Sequence, residues 1–413
     1  MRRQAVITGL GIVSPIGVGV DNFWTAALAG RSGISTPTLF DASKLSRECQ
    51  IVGEVKDFNV RDWMPGAAGK MAGRFSQFAV AAAKMARDDS RLDEAEIPGE
   101  RVKVVIGTSM SGQSDLGEST FQSFLSGEVV SPWTTNEYPA HAATSHVCIA
   151  AGARGQAMTV ATACAAGLDT VAWASEEICA GRATAVIAGA TDTPLSEYGI
   201  TLFNSVGVLS KWPGPPEEAS RPFDRWRSGL VLAEGCAIVV VEEEAHARSR
   251  GANIYARVLG TASSTEAAHL RKVDESGSAM TNAIAIALSR AKRQPRDIDF
   301  VCAHGNSMPD YDAAETSGIK GALGQHAWSV PVSSIKSMCG QPLSAGSAMQ
   351  VVTACLSIRD DLVSPTINYD SADSRCDLDY VPNVARAVRV RNVLIHAHSL
   401  GGSHAVMILG APD

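Results

Sequence analysis

Of the nine cysteines in this 413-residue sequence, one stands where its chemistry changes. Cys164 lies in the run Thr159-Val-Ala-Thr-Ala-Cys164-Ala-Ala-Gly167-Leu168, in which a strand-like segment turns on small residues into an Ala-rich helical segment. A thiol at a helix N-terminus meets the positive end of the backbone dipole, which favours the thiolate and raises nucleophilicity at neutral pH. Taken alone, a cysteine more often fills buried space. The other eight (Cys49, Cys148, Cys179, Cys236, Cys302, Cys339, Cys355 and Cys376) lack this setting and read as structural. No Cys-x-x-Cys pair occurs, so no metal centre is expected. The odd count fits free thiols in a reducing compartment.

Three further segments carry groups that could assist a nucleophile. His304, in Val301-Cys-Ala-His304-Gly305-Asn306-Ser307-Met308-Pro309, follows an apolar run and precedes a glycine. Such a histidine can pair with a thiolate or donate to a developing oxyanion, although the local pattern is also that of an ordinary loop histidine. Ser334-Ile-Lys336-Ser-Met-Cys339-Gly340-Gln341-Pro342 offers an ammonium and an amide in what otherwise reads as a solvated loop. His396-Ala-His398-Ser399-Leu400-Gly401-Gly402 ends an apolar run on a Gly-Gly turn. That turn can bring backbone N–H groups against a ligand, or be a plain turn. Gly9-Leu-Gly11-Ile-Val-Ser14 lacks the third glycine of a dinucleotide fingerprint.

Groups so far apart in sequence need a scaffold that gathers them. Apolar runs predict strands at 4–8, 102–108, 157–162, 184–189, 236–242, 298–303, 330–334 and 393–397. Amphipathic or Ala-rich stretches predict helices at 21–29, 74–89, 167–180, 278–292, 312–321 and 344–358. The alternation indicates βα units around a largely buried sheet. Residues 157–180 and 330–358 both run from a strand through a small-residue turn into an Ala-rich helix, which predicts two related halves, 1–255 and 256–413. With 45% apolar and 19% charged residues the chain has the makings of a sizeable core. Its net charge of −7 gives no reason to hold nucleic acid or an anionic membrane. It has no uninterrupted apolar run of ~18 residues, and its first residues lack the apolar region and cleavage site of a signal peptide, so a cytoplasmic location is expected.

Taken together in order and spacing, these segments resemble the β-ketoacyl-acyl carrier protein synthases, the condensing enzymes of fatty-acid and type II polyketide synthesis. The resemblance covers nearly the whole chain. It runs from Val6-Ile-Thr-Gly-Leu-Gly-Ile-Val-Ser-Pro-Ile-Gly17 through Arg74-Phe-Ser-Gln-Phe-Ala, Thr162-Ala-Cys164-Ala-Ala-Gly167 and Arg221-Pro-Phe-Asp224-Arg-Trp-Arg-Ser-Gly229. It continues through Ala233-Glu-Gly235, His304-Gly, Asp312 with Glu315, Lys336-Ser-Met and Cys376-Asp-Leu-Asp-Tyr-Val-Pro-Asn383. It implies the thiolase fold, an α/β architecture of two similar βα halves in a five-layer αβαβα sandwich. It also implies a dimer, homomeric or with a related ketosynthase subunit, with no bound cofactor and with substrates carried on the phosphopantetheine of acyl carrier protein. By the same resemblance Cys164 is the nucleophile that takes the acyl chain, and the N–H groups of Cys164 and Leu400 form the oxyanion hole. His304 is then the first catalytic histidine and Lys336 the lysine that orders the charge network.

The departures cluster in the same places. The family's second histidine, five residues after the lysine, is Gln341, which can donate a hydrogen bond but cannot become a cation. The two pantetheine-binding threonines are Asn306 and Met308. The glutamate fourteen residues after the lysine is Gln350. The Gly-Phe-Gly-Gly gate reads Ser399-Leu400-Gly401-Gly402, in which Ser399 lacks the freedom of glycine, and an upstream phenylalanine is His398. Three readings follow: a specialised condensing or acyl-transfer enzyme that retains Cys164 chemistry; a chain-length-factor-like subunit that pairs with an active synthase; and a degradative thiolase-like enzyme. The last is disfavoured by the absence of a second cysteine near the C-terminal Gly-rich turn.

Overall fold

The structure is a computed structural model that describes residues 3–412. Ten strands carry the architecture: β1 (Ala5–Ser14), β2 (Val102–Gly107), β3 (Ala157–Val160), β4 (Ala185–Asp192), β5 (Gly235–Glu243), β6 (Ala256–Thr265), β7 (Phe300–Cys302), β8 (Val332–Ser333), β9 (Asn392–His398) and β10 (Ser403–Gly410). They lie along one sheet path in the order β8-β7-β9-β10-β6-β1-β5-β4-β2-β3, and a short strand, Gly17–Val18, hairpins onto β1. The first five strands and the last five are ordered alike. In each set the first strand pairs antiparallel with the fifth and the fifth antiparallel with the fourth. The fourth then pairs parallel with the second, and the second parallel with the third. The two sets meet where Val6 and Ile7 of β1 pair with Arg257 and Ala256 of β6.

Seven helices accompany these strands, and all but the second cover them: α1 (Arg74–Ser90), α2 (Asp115–Ser126), α3 (His141–Ala151), α4 (Ala166–Cys179), α5 (Ser278–Ala291), α6 (Pro309–Leu323) and α7 (Ser344–Asp360). Helices α4 and α7 form the middle layer, in one apolar core with residues of both strand sets. Helices α1 and α3 cover the outer face of the first set and α5 and α6 that of the second, each over its own apolar cluster. The result is the five-layer thiolase sandwich. Ser344 to Ile358 of α7 are all buried, as befits a helix with sheets on two sides. Small residues let the middle helices approach: a Cβ on Gly167 of α4 would lie 2.5 Å from the Ala348 backbone nitrogen.

The expected strands and helices are present with shifted ends, most of all β1, which runs on through Gly9 and Gly11 as ten buried residues. β6 and β10 were not expected, nor were α2 and α3. β6 alternates buried and half-buried residues at its start and so offers no continuous apolar run, whereas β10 holds the apolar run Ala405–Leu409, which the sequence reading passed over. Among the described residues no helix is long and apolar enough to cross a membrane.

Candidate active site

The site assembles at the C-terminal ends of parallel strands, where open α/β sheets place ligands. Cys164 follows β3, His304 follows β7, Lys336 follows β8, and His398 is the last residue of β9. A single 3-10 turn, Ala163–Ala165, carries the cysteine into α4, and Ala163 is held at φ 52°, strained for a residue with a Cβ. Cys164 itself is 7% exposed. Burial pushes its thiol up to about 11, and the Asp192 charge adds to that push. The Lys336 charge, a hydrogen bond from Gln341 and the thiol's own backbone N–H pull the other way. The thiolate expected from the helix N-terminus is therefore corrected: in the closed site desolvation outweighs the local field, and the resting group is a thiol.

Ser399 grips this turn. Its hydroxyl accepts from the Ala165 N–H at 2.9 Å and donates to the Thr162 carbonyl at 2.9 Å. The expectation that serine would suffer for want of glycine's freedom is also corrected. Left-handed backbone occurs at Gly401 and Gly402 and not at Ser399. Leu400 and Gly401 form the half-exposed tip of the β9–β10 turn. Met308, half-buried, packs with the apolar cluster that contains Cys164 and Leu343.

His304 is 2% exposed, and its orientation is set from both ends. Its backbone N–H donates to Glu315 Oε1 at 2.7 Å, and that of Gly305 donates to Oε2 at 2.7 Å. Only glycine fits at 305, because a Cβ would meet Phe223 Cε2 at 2.7 Å. Asn306 Oδ1 accepts from the Met308 N–H at 3.0 Å, so its amide Nδ2 faces His304 Nε2 at 3.3 Å and donates to it. The ring proton then sits on Nδ1, which is buried without a partner. Burial, reinforced by the Lys336 charge, holds His304 well below its ordinary value, so the imidazole is a neutral donor at physiological pH.

Lys336 lies fully buried beneath it. Its Nζ donates to the His304 carbonyl at 2.6 Å and to Gln350 Oε1 at 3.2 Å. Burial lowers its pKa, and the Glu315 charge opposes that. Gln341 is buried beside Cys164 with its Oε1 unpartnered, the amide nitrogen being turned toward sulfur. The structure thus brings Cys164, His304, Lys336, Gln341, Asn306 and Ser399 into one connected site.

Sequence reasoning missed Asp192, which is fully buried at the end of β4. It accepts from the N–H groups of Ser109, Met110 and Ser344 and from the hydroxyls of Thr108 and Ser344. It thereby ties the start of α7 to the loop after β2. Also missed were His396, His404 and Glu266, which surround His398. The signal for the histidines was their spacing across the Gly-Gly turn.

The family model for the beta-ketoacyl synthase N-terminal domain matches residues 2–247, and that for the C-terminal domain matches residues 255–370. A 3-oxoacyl-[acyl-carrier-protein] synthase 2 from Coxiella burnetii is 38% identical, covering 99% of this chain and 98% of its own. The tetracenomycin polyketide synthase ketoacyl synthase alpha subunit of Streptomyces glaucescens is 38% identical, covering 99% and 97%. A type II polyketide acyl-carrier protein in complex with its ketosynthase bound to the hexaketide superposes with a TM-score of 0.92 at 33% identity, covering 100% of both chains. The ishigamide ketosynthase/chain length factor gives 0.92 at 31%, again covering 100% of both. With a nucleophile turn, a buried histidine and a buried lysine in these positions on this fold, the chain belongs to the β-ketoacyl synthase family.

Proposed function

We propose that the protein is a condensing acyltransferase of fatty-acid or type II polyketide synthesis, which accepts an acyl chain from the pantetheine of acyl carrier protein onto Cys164. The observation that carries this reading is the hydrogen bond of the Gln341 amide to the Cys164 thiol, together with a buried His304 Nδ1 that has no partner in the protein. In the first step sulfur attacks the acyl thioester and the pantetheine thiol leaves with the proton that Cys164 gives up. The N–H groups of Cys164 and Leu400 are the donors for the tetrahedral oxyanion. In the second step a malonyl thioester loses carbon dioxide. His304 Nδ1–H and the Gln341 amide donate to the resulting enolate oxygen. The enolate carbon then attacks the Cys164 thioester and releases the thiolate. Asn306, Met308, His398, Ser399 and Gly401 line the way in for acyl chain and pantetheine. The chain divides functionally at residue 255, the first half supplying the nucleophile and the second His304, Lys336 and the Gly-Gly turn; the break between the two family matches supports this.

Gln341 favours a second reading, a chain-length-factor-like subunit whose partner ketosynthase performs the condensation. An amide stabilises the enolate without positive charge, so decarboxylation by this chain alone is weakened. Incubation with acyl-loaded carrier protein followed by intact-mass measurement tests the first reading. A mass gain of one acyl group, absent in Cys164→Ala, supports it. No gain with a folded protein assigns the chain the partner's role.

A further inference from the structure

Three side chains beside the nucleophile turn, among them the His398 placed along the substrate path, converge on a point where no step of the condensation takes place. Glu266, His398 and His404 each offer a ligand atom, one oxygen and two nitrogens within 4.8 Å of one another. The backbone enforces this. His398 and His404 are directly opposed cross-strand partners of β9 and β10, so their side chains share a face. Glu266, one residue beyond β6, is held to the same turn by its N–H, which donates to the Gly402 carbonyl at 2.9 Å. The three side chains are 1–3% exposed.

Both imidazole Nε2 atoms point at one carboxylate oxygen. His404 Nε2 lies 3.1 Å and His398 Nε2 3.2 Å from Glu266 Oε1. Only the first contact has hydrogen-bond geometry; His398 Nε2 is a buried nitrogen beside the Glu266 carboxylate with no hydrogen-bond partner. Two ligand atoms each ~2.0–2.1 Å from a tetrahedral zinc ion stand ~3.3 Å apart, close to both separations. The outer contacts of a metal site are also in place. His404 Nδ1 meets His396 Nε2 at 3.1 Å, and His396 Nδ1 meets Glu315 Oε1 at 2.7 Å. The second oxygen of Glu266 accepts from the Asp274 N–H at 2.9 Å. Ligating histidines and carboxylates are oriented by such partners.

We propose that Glu266, His398 and His404 form a two-histidine, one-carboxylate binding site for a divalent first-row transition ion, with Zn²⁺ as the test ion. Imidazole nitrogen with carboxylate oxygen is a donor set that zinc and its neighbours accept. Three protein ligands leave a fourth position open. The ion clasps the ends of β6, β9 and β10, and because Ser399 follows His398 and holds Ala165, that clasp extends to the nucleophile turn. It revises the expectation of no metal, which looked only for cysteine pairs.

The test uses full-length protein without a polyhistidine tag, dialysed against chelator and titrated with Zn²⁺ in competition with a fluorescent indicator. Binding of one ion per chain and an upward shift of the melting temperature are expected. Cobalt substitution should give visible ligand-field bands without a thiolate charge-transfer band. Glu266→Gln, His398→Phe and His404→Asn should each weaken binding at least tenfold, while Cys164→Ala leaves it unchanged. Anomalous scattering at the zinc edge from crystals of the unmutated protein locates the ion even if a variant fails to fold. A folded protein that takes up no Zn²⁺ at micromolar free ion overturns the proposal. So does a thiolate band in the cobalt spectrum, or anomalous density away from these three residues.

Discussion

The ammonium of Lys336 donates to the carbonyl oxygen of His304 at 2.6 Å, so the buried cation grips the backbone of that histidine and not its ring. Its other acceptor is the neutral Gln350 Oε1. The amide nitrogen of Gln350 in turn faces three carbonyls, those of Cys302, Ala303 and His396, each at 2.9 Å. Glutamine is thus built into its place: its oxygen serves the lysine while its N–H groups serve the strand ends on which His304 and His396 stand.

A first prediction follows from that double use. Gln350→Glu would restore the residue usual in the family, yet it should destabilise the protein. The carboxylate gains Lys336 but faces three carbonyl oxygens that shared the two amide hydrogens now lost. A buried acceptor left unpaired costs ~1–3 kcal/mol, so a net loss of about 3 kcal/mol is expected in chemical denaturation. An unchanged or raised stability would show that the charge of the pair outweighs the carbonyls.

The state of Cys164 makes a second prediction. With its pKa pushed up to about 11 by burial, a fraction of only ~10⁻⁴ is thiolate at pH 7, and that fraction grows roughly tenfold per pH unit. Alkylation of Cys164 by iodoacetamide, followed by peptide mass analysis, should rise accordingly from pH 7 to pH 10 without levelling off. His304, held neutral well below its ordinary value, should add no inflection between pH 6 and pH 8. A plateau near neutrality would mean that the helix N-terminus prevails over desolvation.

This contrast locates what could be read in the sequence. The strand–Cys164–helix run and the small residues around it are local, and they specified the turn that carries Cys164 and the βα pattern directly. The repeated strand order rests on β6, whose alternating burial leaves no continuous apolar run, and on β10, whose apolar run Ala405–Leu409 was passed over. Burial is a property of the assembled layers, so neither the high pKa of Cys164 nor the neutrality of His304 could be read from neighbours in the chain. Ser399 looked like a loss when set against glycine. Its hydroxyl acquires meaning only when Thr162 and Ala165, more than 200 positions away, are brought beside it. The His398–His404 pair left only the signal of its spacing across the Gly-Gly turn, because it is the cross-strand register that makes the two residues face each other.

The third prediction concerns Gln341. Removing a donor outright from a developing oxyanion costs ~2.7–4 kcal/mol, and replacing a histidine by an amide should cost less. Gln341→His should therefore raise malonyl decarboxylation, read as carbon dioxide release from malonyl-loaded carrier protein, by roughly tenfold to a hundredfold. Unmutated protein already turning over at the rate of the variant would show that the amide suffices.

The fourth prediction concerns assembly. β3 pairs with β2 on one side only and lies at the end of the sheet path, with its residues half-buried or exposed. α3, which packs on β3, has Ile149 79% exposed, and Phe124 of α2 is 71% exposed, with Phe121, Leu125 and Trp133 also open to solvent. An unpaired edge and bare apolar side chains are the marks of a surface that another chain covers. Obligate interfaces bury ~2,000–5,000 Å² and are apolar, and protomers built around them lose stability when separated. Light scattering should therefore find a dimer, and Phe124→Asp should dissociate it and lower the melting temperature. If the partner is a related ketosynthase, co-expression should give a hetero-complex whose condensation survives Cys164→Ala here but not loss of the partner's cysteine. If the partner is a second copy, Cys164→Ala should abolish condensation in the homodimer. A monodisperse monomer at low concentration would contradict both assemblies, because the open edge of β3 would then be the native surface.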